Sequence, residues 1–386
     1  MPGLVVYAMG SPFKRQPVVE YVYGPASVEA LDPYTPLLVE EVYDNKAIVL
    51  VADIYSVWPE VGAFPHSETY TEVLDRLEKF MEKTCSRRAS PRICRRVSFK
   101  PVPWHGLMGA WRFTATFGDT TLFTLKAIVE LGGAPRTRKI YFVVDEEGDA
   151  ALKLVALRAV ELAATILGAE ASIVVSEPKP YPLPSKPTVE LHDYETIEPT
   201  ALLRRELAVG VKPPKNPLKT VTPAARLKPD KRLLEAYQLT TLTAVMASNS
   251  MITPLFYQAC GARDPLGKLK NMLRTLAEAY TTATQLSKKP VGGVLRHHVA
   301  VDAEAVRALA LGTAIERLAL NTLKSTGIDC TQVYSDGVDV EAVEKLEETL
   351  KTKDKTPQPC LKRRDNKLAL QEGCLKKLRT QLSETQ

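Results

Sequence analysis

Short β-rich runs alternate with helical stretches along the first 200 residues, and that alternation restricts the fold more than any motif in the chain. The strand candidates are Leu4–Met9, Ala47–Asp53, Val97–Val102, Lys139–Asp145, Ala171–Val175 and Thr188–His192. Between them lie three helical patterns. Glu68–Cys85 sits behind Ser67 as its N-cap, with Leu74, Leu77 and Met81 on one face; Thr120–Leu131 and Asp149–Leu167 follow. Strands alternating with helices predict a mainly parallel, doubly wound, Rossmann-like sheet with right-handed crossovers. Asp149–Leu167 is apolar almost all round, so it is expected to be covered on more than one side, by the sheet and by a second subunit.

The pattern changes near residue 200. Between Pro178 and Pro229 the prolines thicken, in KPYPLPSKP and VKPPKNPLKTVTPAARLKP. A residue with fixed φ and no amide donor marks connection rather than core. Residues 201–228 therefore read as a Pro-rich basic linker between an α/β domain, 1–200, and an all-α domain, 229–386. Helical patterning in the latter covers Arg232–Ser248, Leu266–Leu286, Asp302–Ser325, Val340–Leu350 and Lys362–Leu382, with the Ala- and Leu-rich Ala303–Leu323 as a bundle-core helix. Charge divides at the same place. The first 200 residues carry −5 and the remainder +11, which together give the net +6. The densest basic stretch, Arg204–Arg232, holds nine Lys and Arg against Glu206 and Asp230. It reads either as a footprint for phosphates or as a solvated linker whose charges keep it open.

Composition removes several classes. Hydrophobic content of 45% and charged content of 25% suit a globular chain rather than a disordered or fibrous one. No uncharged apolar run approaches the ~18 residues of a membrane span, and MPGLVVYAMGSPFKRQ lacks the basic region and cleavage site of a secretory leader. The expectation is an intracellular, cytoplasmic protein. Cys85, Cys94, Cys260, Cys330, Cys360 and Cys374 are thinly spread and form no C-x-x-C, so neither a zinc ribbon nor a dense disulfide framework is expected. Six Asn and nine Gln against 28 Pro fit a thermophile, in which an intracellular disulfide would not be strange.

In a doubly wound sheet, ligands sit beyond the carboxyl ends of the strands. Two such ends hold candidate ligand-binding residues. The first strand runs into Gly10, Ser11, Lys14 and Arg15, a turn offering close backbone approach, a hydroxyl and positive charge. Lys139–Val144 runs into Asp145, Glu146, Glu147, Gly148 and Asp149. Neither G-x-G-x-x-G nor G-x-x-x-x-G-K-[ST] occurs, so dinucleotide and P-loop readings have no motif behind them, and no cofactor or metal is implied.

VVYAMGSPFKRQPVVEYVYG resembles the opening of the CRISPR-associated CARF–HEPN ancillary proteins of type III systems. LLVEEVYDNKAIVLVADIY, IYFVVDEEGDAALKLVALRAVELAATILGAEASIVVSEPKPYP and VELHDYETIEP follow in that family's order. The likeness covers about the first 200 residues and is one of pattern. It implies a homodimeric Rossmann-like sensor that binds cyclic oligoadenylate in antiviral defence. The helical half would be an endoribonuclease acting on single-stranded RNA, with no membrane involved. Gly10, Ser11, Lys14, Asp145, Glu147 and Gly148 would then line the ligand site across the dimer axis.

Two departures stand against a full transfer. Many members have a neutral Thr-His-Gly-like second turn, whereas here four carboxylates would face an anionic ring at close range. They either repel it, point away, sit in a site for something cationic, or cap the next helix, a role Asp149 fits. HEPN ribonucleases also use Arg-x(4–6)-His, in which a histidine moves the proton of the attacking 2′-hydroxyl and an arginine steadies the phosphate. None of His66, His105, His192, His297 and His298 has such an arginine upstream. The nearest echo, Arg364–Gln371, has Leu370 where the histidine would stand, and leucine cannot move a proton. Cys360 and Cys374 flank this stretch and can pair. Arg296-His297-His298, after Pro290-Val291-Gly292-Gly293, reads either as a polar loop or as a replacement centre, with His298 moving the proton and Arg296 on phosphate. His105, with Trp104, Trp111 and Arg112 nearby, lies on a loop that either stacks a nucleobase or is packed down by its tryptophans.

Three function classes follow: a cyclic-oligoadenylate sensor with ribonuclease activity, a silent partner that binds nucleic acid or protein, and a CARF-type DNA-binding regulator. The last lacks a clear helix-turn-helix. Ring opening of the messenger within the sensor half is a further activity open to such a fold.

Overall fold

Apolar runs rich in Val, Ile and Phe can be buried on both faces, which suits them to the centre of a parallel sheet. In the computed structural model, residues 3–10, 18–24, 26–31, 46–64, 67–88, 94–132, 137–145, 148–178, 188–221, 231–288 and 293–384 are described. Their first unit follows the chain as β1 (Leu4–Ala8), β2 (Val18–Tyr23), β3 (Ala26–Leu31), β4 (Lys46–Ala52), α1 (Tyr70–Arg88) and β5 (Val97–Val102). It continues with β6 (His105–Met108), β7 (Trp111–Thr114), α2 (Phe117–Gly132), β8 (Lys139–Val144), α3 (Ala150–Leu167), β9 (Glu170–Pro178) and β10 (Thr188–Ile197).

Eight of these strands form one sheet in the order β3-β2-β10-β9-β8-β1-β4-β5. The block from β9 to β5 is parallel throughout. β10 runs against β9, and β2 pairs antiparallel with β3. After β1 the chain forms the β2–β3 pair at the far edge, comes back to β4 and β5 on one side of β1, and then places β8 and β9 on the other. The topological switch point therefore lies between β1 and β8. All five residues of β1 are buried.

The six expected strands are present, and the mixed α/β class with a mainly parallel sheet is the one observed. The cap of α1 differs from expectation. Thr69 rather than Ser67 accepts from the Glu72 amide, at 3.3 Å, while Ser67 is buried. Asp149 caps α3 by accepting from the Ala151 and Leu152 amides.

The expected domain boundaries are not those of the compact units. The first unit comprises Met1–Glu198, Leu218–Leu227 and Leu276–Val301; the second comprises Pro199–Pro217, Lys228–Thr275 and Asp302–Gln386. The stretch expected to be a linker instead opens with a helix, α4 (Pro199–Ala208), whose Leu202, Leu203 and Glu206 are buried. It also contains β11 (Leu218–Thr220). Strands do not end at residue 228. β12 (Thr284–Lys288), β13 (Gly293–His297) and β14 (Val299–Val301) return to the first unit, in sheets ordered β12-β13-β7-β6 and β11-β14. Gly293 is required there, because a Cβ would meet the Trp111 ring at 2.4 Å.

The second unit is mainly helical: α4, α5 (Lys231–Ser248), α6 (Ile252–Ala262), most of α7 (Pro265–Thr282), α8 (Ala303–Ser325), α9 (Cys330–Ser335), α10 (Val340–Leu350) and α11 (Cys374–Glu384). Its core gathers Ala244, Phe256, Leu311, Ile315, Leu346 and their neighbours. α5 and α8 cross closely: a Cβ on Gly312 would stand 1.9 Å from the Thr240 carbonyl oxygen. Arg307 on α8 donates to the buried Glu206 carboxylate at 2.8 Å and to the Glu206 carbonyl at 2.6 Å, tying α4 to the bundle. Asp354 accepts from the Ile252 and Thr253 amides, a cap for α6 supplied from a hundred residues away.

The Lys362–Leu382 helix is not observed as one element. Residues 361–370 form a hairpin of β16 (Leu361–Arg364) and β17 (Lys367–Leu370), and β15 (Val338–Asp339) joins β17. All six cysteines are paired, as Cys85–Cys94, Cys260–Cys330 and Cys360–Cys374. Cys360–Cys374 is the pairing the sequence had allowed; Cys85–Cys94 closes a short local loop, and Cys260–Cys330 joins residues 70 apart that the fold brings together. Closing loops of this size contributes about 3–4 kcal/mol each in the chain-entropy view.

Candidate functional site

Parallel strands point their carboxyl ends to one edge, so the loops after β1, β4, β5 and β8 gather there. The first and last of these loops meet at the switch point. Gly148 adopts φ +86°, and a Cβ on it would lie 2.8 Å from Gly10 Cα and 3.0 Å from Gly10 N. The two candidate turns are thus in backbone contact, and only glycine serves at position 148. Ser11, Lys14, Arg15 and Glu147 lie outside the described residues.

Of the four carboxylates of the second turn, Asp145 and Asp149 are held within the protein, and Glu146 and Glu147 lie outside the described residues. Asp145 is paired with Lys153, buried in the first turns of α3, and accepts from the Tyr7 hydroxyl. Lys153 also donates to the Asp145 carbonyl at 2.6 Å. Asp149 receives the Ala151 amide at 2.8 Å, the Leu152 amide at 3.3 Å and the Trp104 indole N–H at 3.0 Å. Burial, and then the Asp149 charge, pushes the Tyr55 hydroxyl above its ordinary value. Among those alternatives, Asp149 follows the capping one and Asp145 turns inward to Lys153.

Trp104 organises the next part of the edge. Its amide donates to Asp53 at 2.8 Å, so one residue links the end of β4 to the cap of α3. His105 packs on it at 4.6 Å and Phe117 stacks on it at 5.9 Å. The other tryptophan of this region, Trp111, packs 4.1 Å from Phe64. Both tryptophans therefore hold their segment down. That segment is a hairpin, β6 with β7, rather than a loop.

No family model matches this chain, and no curated protein matches it.

Arg296 and His298 do not make a centre. The expected polar loop is strand β13 and the step into β14; Arg296 is exposed, whereas His298 is 6% exposed. Strand pairing turns the histidine into the first unit, where the Val221 amide donates to its backbone carbonyl. The exposed Arg296 thus has a buried, not an accessible, histidine next to it in the chain. His297, also buried, is held near pKa 3, first by burial and then by His298. His192 is exposed and His66 lies outside the described residues. The Arg364–Leu370 echo occupies the β16–β17 hairpin, with Asp365 at φ +49° in its turn. The Leu370 amide donates to the Tyr257 hydroxyl. Among the described residues no three His, Cys, Asp or Glu side chains gather to hold a metal.

A buried polar network went unseen in the sequence. Asp53 accepts from the Tyr70 hydroxyl at 2.8 Å, and burial pushes its carboxyl up to about 8 despite that bond. Asp119 accepts from the Val301 and Thr116 amides at 2.7 and 2.6 Å; burial raises it to about 6. His297 stacks on Tyr280 at 5.0 Å and meets Tyr70 edge-on at 5.3 Å. The Tyr70 and Tyr280 hydroxyls are raised by burial and by these carboxyls. The available signal was an ionisable residue in an apolar context: Asp53 closes AIVLVA, and Lys153 interrupts ALKLVAL.

Proposed function

We propose that the first unit is a CARF-like sensor that binds cyclic oligoadenylate at the switch point between β1 and β8, and that the second is a HEPN-like helical module that engages single-stranded RNA. The observation that carries this reading is the backbone contact of Gly10 and Gly148 at that switch point, beside an acidic turn whose Asp145 and Asp149 charges are satisfied internally. A turn of this kind can approach phosphates closely, and the repulsion expected from its carboxylates is reduced once Lys153 and the α3 amides hold them. A second copy of the chain belongs to the same reading. Leu154 on α3 is 68% exposed, which is ordinary for a single apolar side chain, so the second copy rests on the resemblance alone.

The helical module is read as a binder rather than a ribonuclease. Its Arg364–Leu370 stretch has leucine at the proton-transfer position, and Arg296 with buried His298 offers no substitute. The second unit carries 25 Lys and Arg against 18 Asp and Glu, a net +7 that suits RNA backbone contacts, whose affinity falls steeply with salt. The test is thermal shift with cyclic tetra-adenylate and cyclic hexa-adenylate, with the same samples incubated with labelled single-stranded RNA. Stabilisation by one ring, with salt-dependent RNA retention and intact RNA, is expected. Ligand-stimulated cleavage would replace the binding reading with an active nuclease, and no shift by either ring would remove the sensor.

A further inference from the structure

Phe117 opens α2 with half its surface in water (51% exposed), beside the exposed His105 of β6. Their rings are 5.3 Å apart and steeply inclined. Beneath both lies Trp104, almost wholly buried and stacked within 29° of the phenyl plane. Single exposed hydrophobics are ordinary on a protein surface. This one differs in its backing, because the indole is fixed at two points, through its amide to Asp53 and through its ring N–H to Asp149. Asp149 is the residue after Gly148, so the aromatic shelf and the switch-point turn share one rigid support.

We propose that Phe117 and His105 form a base-stacking shelf for a purine nucleotide whose phosphate lies at the Gly10–Gly148 turn. The proposal rests on the switch-point nucleotide reading and deepens it by naming where the base goes. A purine presents a broad π-face that stacks on an aromatic side chain. A phenyl ring already braced by an indole loses little freedom on accepting it. The neighbouring β6 side chain Leu107, also strongly exposed, extends the apolar surface on the same hairpin. The polar sugar-phosphate would leave the shelf toward the glycine turn.

Calorimetric titration of wild type, Phe117→Ala, Phe117→Leu, Phe117→Tyr and His105→Ala with cyclic tetra-adenylate tests this, with the thermal midpoint of each variant measured alongside. Phe117→Ala and Phe117→Leu are expected to weaken binding roughly tenfold or more without moving the midpoint, Phe117→Tyr to restore it to within about twofold, and His105→Ala to weaken it less. Leucine failing where tyrosine succeeds marks stacking rather than apolar contact. Should a Phe117 variant fold poorly, His105→Ala, on an exposed strand position, still decides the matter. Wild-type affinity in both alanine variants would overturn the shelf and leave the sensor reading standing. Failure of the wild type itself to bind would overturn both.

Discussion

Asp53 shows how one residue sets a property of the whole fold. Unfolded, its carboxyl gives up its proton above about pH 3.8; folded, it keeps it to about 8. Unfolding therefore releases a proton throughout that window, and stability falls as pH rises through it. Asp119 adds the same sign up to about 6. His297 acts oppositely between about 3 and 6.5, where only the unfolded ring takes up a proton. Above pH 6.5 Asp53 stands alone in this network. Asp53→Asn keeps an acceptor for the Trp104 amide and a partner for Tyr70, so it should flatten the decline between pH 6.5 and 8, a slope of at most about 1.4 kcal/mol per pH unit. Urea midpoints of both proteins at the two pH values measure it; parallel declines would show that Asp53 ionises freely in the folded state. At this scale the sequence was readable where chemistry is local. Asp149 as a cap followed from its place before an apolar helix, whereas Asp53, Asp119 and His297 depend on residues far along the chain.

The parallel strands and their crossover helices were readable because their apolar runs are long and their periods distinct. Elements after residue 228 were less so. β13, with Arg and His, resembles loop until a strand pairs with it, and the first three residues of β12 were expected to end the Leu266–Leu286 helix, which stops at Thr282. α6 was missed for the opposite reason: it is buried nearly throughout, shows no polar face and takes its cap from distant Asp354. α4 was read as linker because proline and charge dominate its surroundings, yet its Glu206 faces inward to Arg307. Glu206→Ala removes the buried carboxylate of Arg307 but leaves it the more exposed Glu304 at 2.9 Å and the residue 206 carbonyl. The loss should therefore be about 1–3 kcal/mol of unfolding free energy, below that of an isolated buried charge, while replacing both residues by apolar ones of similar volume should cost less. Chemical unfolding of the single and double variants decides this; equal losses would mean that the pair is incidental to the bundle.

The whole chain combines a net −5 over residues 1–200 with +11 beyond them, although strands 284–301 return the chain to the first unit. Among the described residues no helix is long and apolar enough to cross a membrane. A sensor at the carboxyl edge of a parallel sheet requires a turn that approaches phosphate, freedom from uncompensated acid, and a place for the base. In the proposed sensor, Gly10 with Gly148 would supply the turn, the Lys153 pairing of Asp145 would offset one of its carboxylates, and the Trp104-backed ring of Phe117 would take the base. The direct test is calorimetric titration of the intact protein with cyclic tetra-adenylate and, separately, cyclic hexa-adenylate. Saturable binding of one ring, lost in Gly148→Val because the new side chain separates the two turns, is expected. Flat titrations with both rings, or undiminished affinity in Gly148→Val, would contradict a nucleotide site at the β1–β8 switch point.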